Sequence, residues 1–240
     1  MRRFIDLHLR RPISGVDELE PMLRLAAEMG YSGAAVASEG AIPKPLRSLC
    51  GELGLDLISR IDLRPRTARE LTDRLRRVRR RFEVVAVDCR TKAVARQAAK
   101  DHRVDLLDFP PSIPTRTRVW FDRQEATLAS GANCAYEVNA SDLLRLGPAA
   151  CSRLLAIIRR EIGNARRHDV PVVASSGSDS LLLMREPRGM AALLDLVDVG
   201  EEEGLDMVSS IPRKMVEANR FKLSAGFVAP GVRLVEGDAR

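Results

Sequence analysis

Short apolar runs alternate with longer amphipathic stretches along the whole 240-residue chain, the pattern of repeated βα units. The short runs predict strands at Phe4–His8, Gly33–Ala37, Leu55–Ile61, Glu83–Cys89, Val104–Phe109, Cys134–Val138 and Val170–Ser175. Between them the spacing is helical: Val16, Leu19, Leu23, Ala26 and Ala27 mark one stripe, and Leu71, Leu75 and Val78 another. Ser14-Gly15 precedes the first helix and Gly30 ends it, Gly131 is expected to close a helix from Asp122, and Pro171 opens the seventh strand. Parallel strands joined by helices form an open doubly wound sheet or a closed barrel. No Gly-rich phosphate-binding fingerprint follows the first strand, which favours an α/β, TIM-barrel-like (β/α) barrel of about seven parallel strands. Gly189–Val199, Glu201–Val208 and Pro212–Asn219 have helical spacing, so extra C-terminal helices are expected at the eighth position, with Phe227–Val235 as a final extended segment against the barrel.

With 45% hydrophobic and 30% charged residues the chain can bury a core without staples, and no composition shift splits it, so residues 1–240 are expected to form a single barrel domain. The Pro110–Pro114 stretch is expected as a long loop carrying Arg116, Arg118 and Trp120. No apolar run approaches the roughly 18 residues of a membrane span, and Asp6 interrupts any early signal-peptide core; a cytoplasmic chain with no membrane partner is expected. Cys50, Cys89, Cys134 and Cys151 are far apart, as for reduced, mostly buried thiols.

Basic residues number 39 against 33 acidic, and 34 of the 39 are arginine. Ten of these lie between Arg60 and Arg81, against three acids, a local excess of seven charges in 22 residues. A solvated helix ordinarily mixes signs to gain i,i+4 pairs, so Arg76, Arg77, Arg79, Arg80 and Arg81 point to a surface that meets a polyanion. Aromatic residues are only 4% of the chain, which favours phosphate and shape contacts over base stacking.

Barrel chemistry sits where strands feed the βα loops. Asp6, His8, Glu39, Asp62, Asp88, Asp108 and Glu137 all fall near such ends. Three histidines, of which only His8 is at a strand end, cannot supply an imidazole-based metal centre. A carboxylate-only magnesium site stays open, against the plainer reading that these acids pair with arginines. Ser175-Ser176-Gly177-Ser178 offers backbone N–H groups to a phosphate, or an ordinary helix cap or turn.

Several segments together resemble one family. Val173-Ala174-Ser175-Ser176-Gly177, Leu183-Met184-Arg185-Glu186-Pro187-Arg188, Ala191-Ala192-Leu193-Leu194, Ser209-Ser210-Ile211-Pro212 and Glu217-Ala218-Asn219-Arg220 look like archaeal ribonuclease P protein component 3, the thirty-kilodalton subunit family. Phe4-Ile5-Asp6-Leu7-His8, Ser59-Arg60-Ile61-Asp62-Leu63 and Val104–Phe109 match it in the same order. The resemblance implies a barrel related to the polymerase-and-histidinol-phosphatase (PHP) phosphoesterases. It also implies a protein cofactor for the ribonuclease P RNA, which removes the 5′ leader of precursor tRNA, with ribonuclease P protein component 2 and the other ribonuclease P proteins as partners. The phosphoesterase relatives begin with His-x-His, whereas here the matching positions are His8 and Arg10, so no catalytic residue, metal ligand or cofactor is expected. The RNA-binding candidates are Arg10, Arg11, Arg60, Arg64, Arg66, Arg90, Lys92, Arg116, Arg118, Ser176, Arg185 and Arg188, with the Arg74–Arg81 cluster as a second surface. The alternatives are a PHP-type metal-dependent phosphoesterase using Asp6, His8 and Asp62, and a barrel enzyme of sugar or amino-acid metabolism.

Overall fold

The structure, a computed structural model, describes residues 2–10, 19–224, 226–229 and 232–233. Ser14, Gly15 and Val16 lie outside these residues, as does the candidate Arg11. Seven parallel strands stand side by side in chain order: β1 (Phe4–Leu9), β2 (Tyr31–Ala37), β3 (Asp56–Leu63), β4 (Val84–Asp88), β5 (Leu106–Asp108), β6 (Ala135–Asn139) and β7 (Val172–Ser175). All seven expected strands are present, with ends that differ by at most two residues. The sheet curls until β1 meets the segment after β7. Leu9 bridges Ser178 in parallel, and the Arg10 N–H donates to the Ser178 carbonyl at 2.8 Å. The result is a nearly closed α/β barrel of the TIM type.

Helices cover the outside: α1 (Leu19–Glu28), α2 (Lys44–Glu52), α3 (Ala68–Val78), α4 (Lys92–Ala99), α5 (Ile113–Arg116), α6 (Arg123–Ala132), α7 (Ala140–Leu144) and α8 (Pro148–Arg167). Their apolar stripes face the sheet; in α3, Leu71 and Leu75 are fully buried. The segment expected as a loop after β5 contains the short helix α5, started by Pro114 early in its first turn, where the missing N–H costs nothing. Gly131 does not close α6 as expected but lies within it. The helix ends at Asn133, with φ of 55°, because asparagine tolerates the left-handed conformation that stops a helix. At the other end Asp122 and Glu125 form a capping box.

Three C-terminal helices follow: α9 (Pro187–Asp195), α10 (Glu201–Met207) and α11 (Ser210–Leu223). They take the place of an eighth strand. The Ile5 N–H donates to the Val208 carbonyl, and Val216 of α11 joins the barrel-interior cluster of Ile5, Leu7, Ile58, Val84, Leu106 and Val173. One turn further along the same face of α11, Asn219 donates to the Glu83 carbonyl and to Asp105, just before β4 and β5. The helix thus fills the β1–β7 gap and crosses the N-terminal opening of the barrel. Of the final expected segment, Phe227–Val235, residues 230, 231, 234 and 235 lie outside the described residues, and its described part is extended but forms a separate two-stranded sheet. Phe227–Ala229 and Val232–Arg233 pair antiparallel with each other, with Phe227 edge-on to Phe221 of α11.

Barrel closure depends on Gly177. Its φ is 58°, and a Cβ there would lie 2.7 Å from Asn139 side-chain atoms and 2.8 Å from the Ser141 hydroxyl. Gly177→Ala therefore combines backbone strain with a clash against packed neighbours, a cost of about 1–3 kcal/mol or more. Thermal denaturation checks this: a Tm lower by several degrees is expected, and an unchanged Tm contradicts the close-approach account.

Candidate functional site

Because side chains alternate along a strand, the inward residues of the barrel can be followed upward from its apolar floor. In β3 the inward set is Ile58, Arg60 and Asp62; in β6 it is Ala135, Glu137 and Asn139; in β5 it is Leu106 and Asp108. The floor is apolar and the middle is ionic. Arg60, 0% exposed, points two nitrogens at the two oxygens of Glu137, both at 2.6 Å. It also donates to the Leu7 carbonyl and the Asp62 carboxylate, each at 2.7 Å.

His8 completes the group. A bulge in β1 turns it inward, with Asp6 accepting from the His8 and Ser176 N–H groups where the ladder is interrupted. Its Nδ1 lies 2.8 Å from Asn139 Oδ1 and its Nε2 3.0 Å from Asp62 Oδ2. Asn139 is oriented by its own Nδ2, which donates to Asp108. Both imidazole nitrogens therefore face acceptors, the arrangement of a doubly protonated ring. Burial and Arg60 disfavour that imidazolium, but Asp62 and Glu137 outweigh them and raise the His8 pKa above its usual value. Burial likewise opposes ionisation of Asp62 and Glu137, and Arg60 with His8 more than reverses it, holding both below the usual carboxylate range. Two cations and two anions balance.

Above them is a cavity of about 200 Å³ at the strand ends, lined by His8, Arg10, Asp62, Arg64, Asp88, Arg90, Asp108 and Asp142. Its arginines are partnered: Arg10 with Asp142 at 3.1 Å, and Arg90 and Arg64 with Asp88 at 2.7 and 3.9 Å. Asp108 differs. Burial, then repulsion by Glu137 and Asp142, pushes its carboxyl up to about 7.

The candidate residues fall into separate groups. Arg64, Arg66, Arg90, Arg118 and Arg188 are exposed. Arg10, Lys92 and Arg185 are half-buried. Lys92 is held by Asp122, Glu125 and the Trp120 carbonyl, and Arg185 by the carbonyls of Leu182 and Met184. Three expectations need correction. Arg60 is enclosed in the barrel, and Arg116 is buried against Glu161 and the Tyr136 hydroxyl. Their charge is consumed inside the protein, because pulling either to the surface would strand a carboxylate. Ser176 is buried too; its hydroxyl donates to the His8 carbonyl and its N–H to Asp6, leaving neither for a phosphate. The β3 alternation, with Arg60 in phase with Ile58, was the available signal for the first of these.

Among the described residues, His8, Asp108 and Glu137 are the group whose donor atoms come within 4.8 Å of one another, close enough for a metal. The fit fails on the chemistry. Both Glu137 oxygens and both His8 nitrogens are engaged, and the Arg60 guanidinium already supplies the positive charge.

Residues 3–223 match the family model described as RNase P subunit p30. The chain belongs to the RNase P subunit p30 family. Ribonuclease P protein component 3 of Methanosarcina mazei is 26% identical over 242 residues, covering 98% of this chain and 97% of that protein. The same component of Natronomonas pharaonis is 25% identical, with 89% and 88% covered. A chain in the cryo-EM structure of archaeal ribonuclease P with mature tRNA is similar in fold, with a TM-score of 0.82 at 20% identity, covering 98% of this chain and all of that one. A prolidase complexed with N-methylphosphonate-L-proline shares the architecture at a TM-score of 0.59 and 12% identity, with 97% and 78% covered. The p30-family barrel seen here thus carries an internal salt bridge at the height where barrel enzymes place catalytic groups. Among its described residues no helix is long and apolar enough to cross a membrane.

Two measurements follow. Glu137→Gln leaves Arg60 and His8 with Asp62 as the remaining anion of the buried cluster and should cost about 3–5 kcal/mol. Adding Arg60→Met should recover part of that loss, and strict additivity in denaturant unfolding would contradict the pair's role. Because folding raises the Asp108 pKa, the protonated carboxyl is favoured at low pH, and stability falls as pH rises from about 4 through about 7. Asp108→Asn, which mimics the protonated form, should raise Tm at pH 8 and leave it unchanged near pH 4; a pH-independent difference contradicts the assignment.

Proposed function

We propose that this single barrel unit serves as a non-catalytic protein subunit of ribonuclease P, in a cytoplasmic particle. It would bind and support the catalytic RNA that removes the 5′ leader of precursor tRNA. The observation that carries this reading is the family match over residues 3–223. It is supported by relatives named ribonuclease P protein component 3 that align over nearly their whole length. It is supported as well by the barrel interior, where the groups a hydrolase would need free are bound to one another.

The contacts proposed are electrostatic. Exposed arginines without a carboxylate partner in the described residues, Arg66, Arg118 and Arg188 among them, would meet phosphates and release counterions. The protein partners would be ribonuclease P protein component 2 and the other ribonuclease P proteins, with precursor tRNA reached only indirectly.

Reconstitution tests the reading. Cleavage of precursor tRNA by the catalytic RNA and its other proteins should fall several-fold when this chain is omitted, and equal activity without it would contradict the proposal. The isolated chain with Mn²⁺ or Mg²⁺ should leave a phosphomonoester intact; turnover lost on His8→Ala would contradict it in favour of a phosphoesterase.

A further inference from the structure

The charged groups are distributed unevenly around the barrel. Helices α3, α4, α6 and α8 pack in succession along one side. On α3 the two acids, Glu70 and Asp73, are already partnered by Arg74 and Arg76. α4 has no acid at all. The acids of α6 and α8, Glu125 and Glu161, are both 0% exposed. The outward face of this wall therefore presents cations almost alone. Arg69, Arg77, Arg80, Arg81, Arg153 and Arg160 are exposed, and none has a carboxylate within 4.0 Å among the described residues. Arg153 and Arg160 are seven residues apart on α8, two helical turns, and so share one face. The Arg160 guanidinium lies over the Trp120 ring, 4.5 Å from its centroid, which presents its donors outward from a fixed platform.

Other parts of the surface are different. At the barrel mouth Arg10, Arg64 and Arg90 face Asp142 and Asp88. Past β7, α10 opens with Glu201, Glu202 and Glu203, but most acids of this region are paired: Glu202 and Asp206 with Arg2, and Glu203 and Asp198 with Arg166 and Arg159 of α8. A polyanion approaching the described residues meets paired charges at α10 and at the mouth, single unpaired arginines such as Arg66, Arg118 and Arg188 elsewhere, and six unopposed arginines together on the α3–α8 wall.

We infer that the outer wall formed by α3, α4, α6 and α8, rather than the barrel mouth, is the surface that seats the RNA phosphate backbone. The inference rests on the RNA-binding reading proposed above and specifies where it acts. These side chains are exposed, Arg81 and Arg160 only resting on the outer faces of the Phe82 and Trp120 rings, and substitutions at such positions usually leave the fold intact.

The test is the salt dependence of binding to transcribed ribonuclease P RNA. In the wall variant Arg77→Gln, Arg81→Gln, Arg153→Gln and Arg160→Gln are combined; in the mouth variant, Arg64→Gln and Arg90→Gln. Each lost phosphate contact lowers the log–log slope by roughly 0.7–0.9, so the wall variant should lose about three units of slope with its Tm unchanged, while the mouth variant keeps the parent slope. Loss of slope in the mouth variant with the wall variant at parent values overturns the inference. So does a wall variant that keeps its RNA slope but no longer binds another ribonuclease P protein, which would make the wall a protein interface. A parent chain with no salt-dependent RNA binding would overturn the proposed function itself.

Discussion

The buried pairing of Arg60 with Glu137 is the constraint on which the rest of this barrel depends. A guanidinium removed from water is tolerable only if its donors are satisfied, and here two carboxylates and a backbone carbonyl do so. Their demand fixes what surrounds them. Glu137 takes a further hydrogen bond from Ser175 on β7, and Asp62 takes one from His8 on β1. Four strands from opposite sides of the barrel are thereby tied to one charge cluster, at the height where α/β barrels commonly begin their catalytic layer. A cluster so fully engaged is poor at binding a metal and poor at moving protons to a substrate, because each step would first break a buried ion pair.

The same economy of charge explains the surface. An arginine-rich chain must either pair its cations or present them. The interior ones, Arg60 and Arg116, are paired by geometry no solvent competes with. Those at the mouth are paired with Asp88 at the end of β4 and Asp142 in α7. Of what is left over, the largest group stands on the outer helices α3 and α8 and the segment after α3, and that remainder, not the total, sets the field an RNA would meet.

Much of the fold was legible because parallel barrel strands are buried on both faces and stand out as apolar runs such as Val84-Val85-Ala86-Val87. The replacement of an eighth strand by helices was legible too, from the spacing after Gly189. The end of α6 is ambiguous in sequence, because Gly131 and Asn133 are both residue types that tolerate positive φ and sequence alone does not rank them; the helix stops at Asn133. The site was harder. Strand-end position marked Arg60 as a loop-facing cation, while its phase with Ile58 marked it as interior, and the second signal was decisive because a paired carboxylate lay opposite on β6. That partner, Glu137, is 77 residues away, a distance no local pattern reports. Ser176 likewise looks free for a phosphate in the sequence, because its backbone commitment to Asp6, 170 residues away, exists only once the barrel closes.

The division between interior cations that hold the barrel and exterior cations that hold RNA is most directly tested by arginine-specific modification with phenylglyoxal, mapped by mass spectrometry with and without ribonuclease P RNA. Arg60 and Arg116 should stay unreactive in both conditions, while the exposed arginines react in the free chain and are protected in the complex. Ready modification of Arg60 in the folded chain, or exposed arginines that react equally with RNA present, would contradict the account.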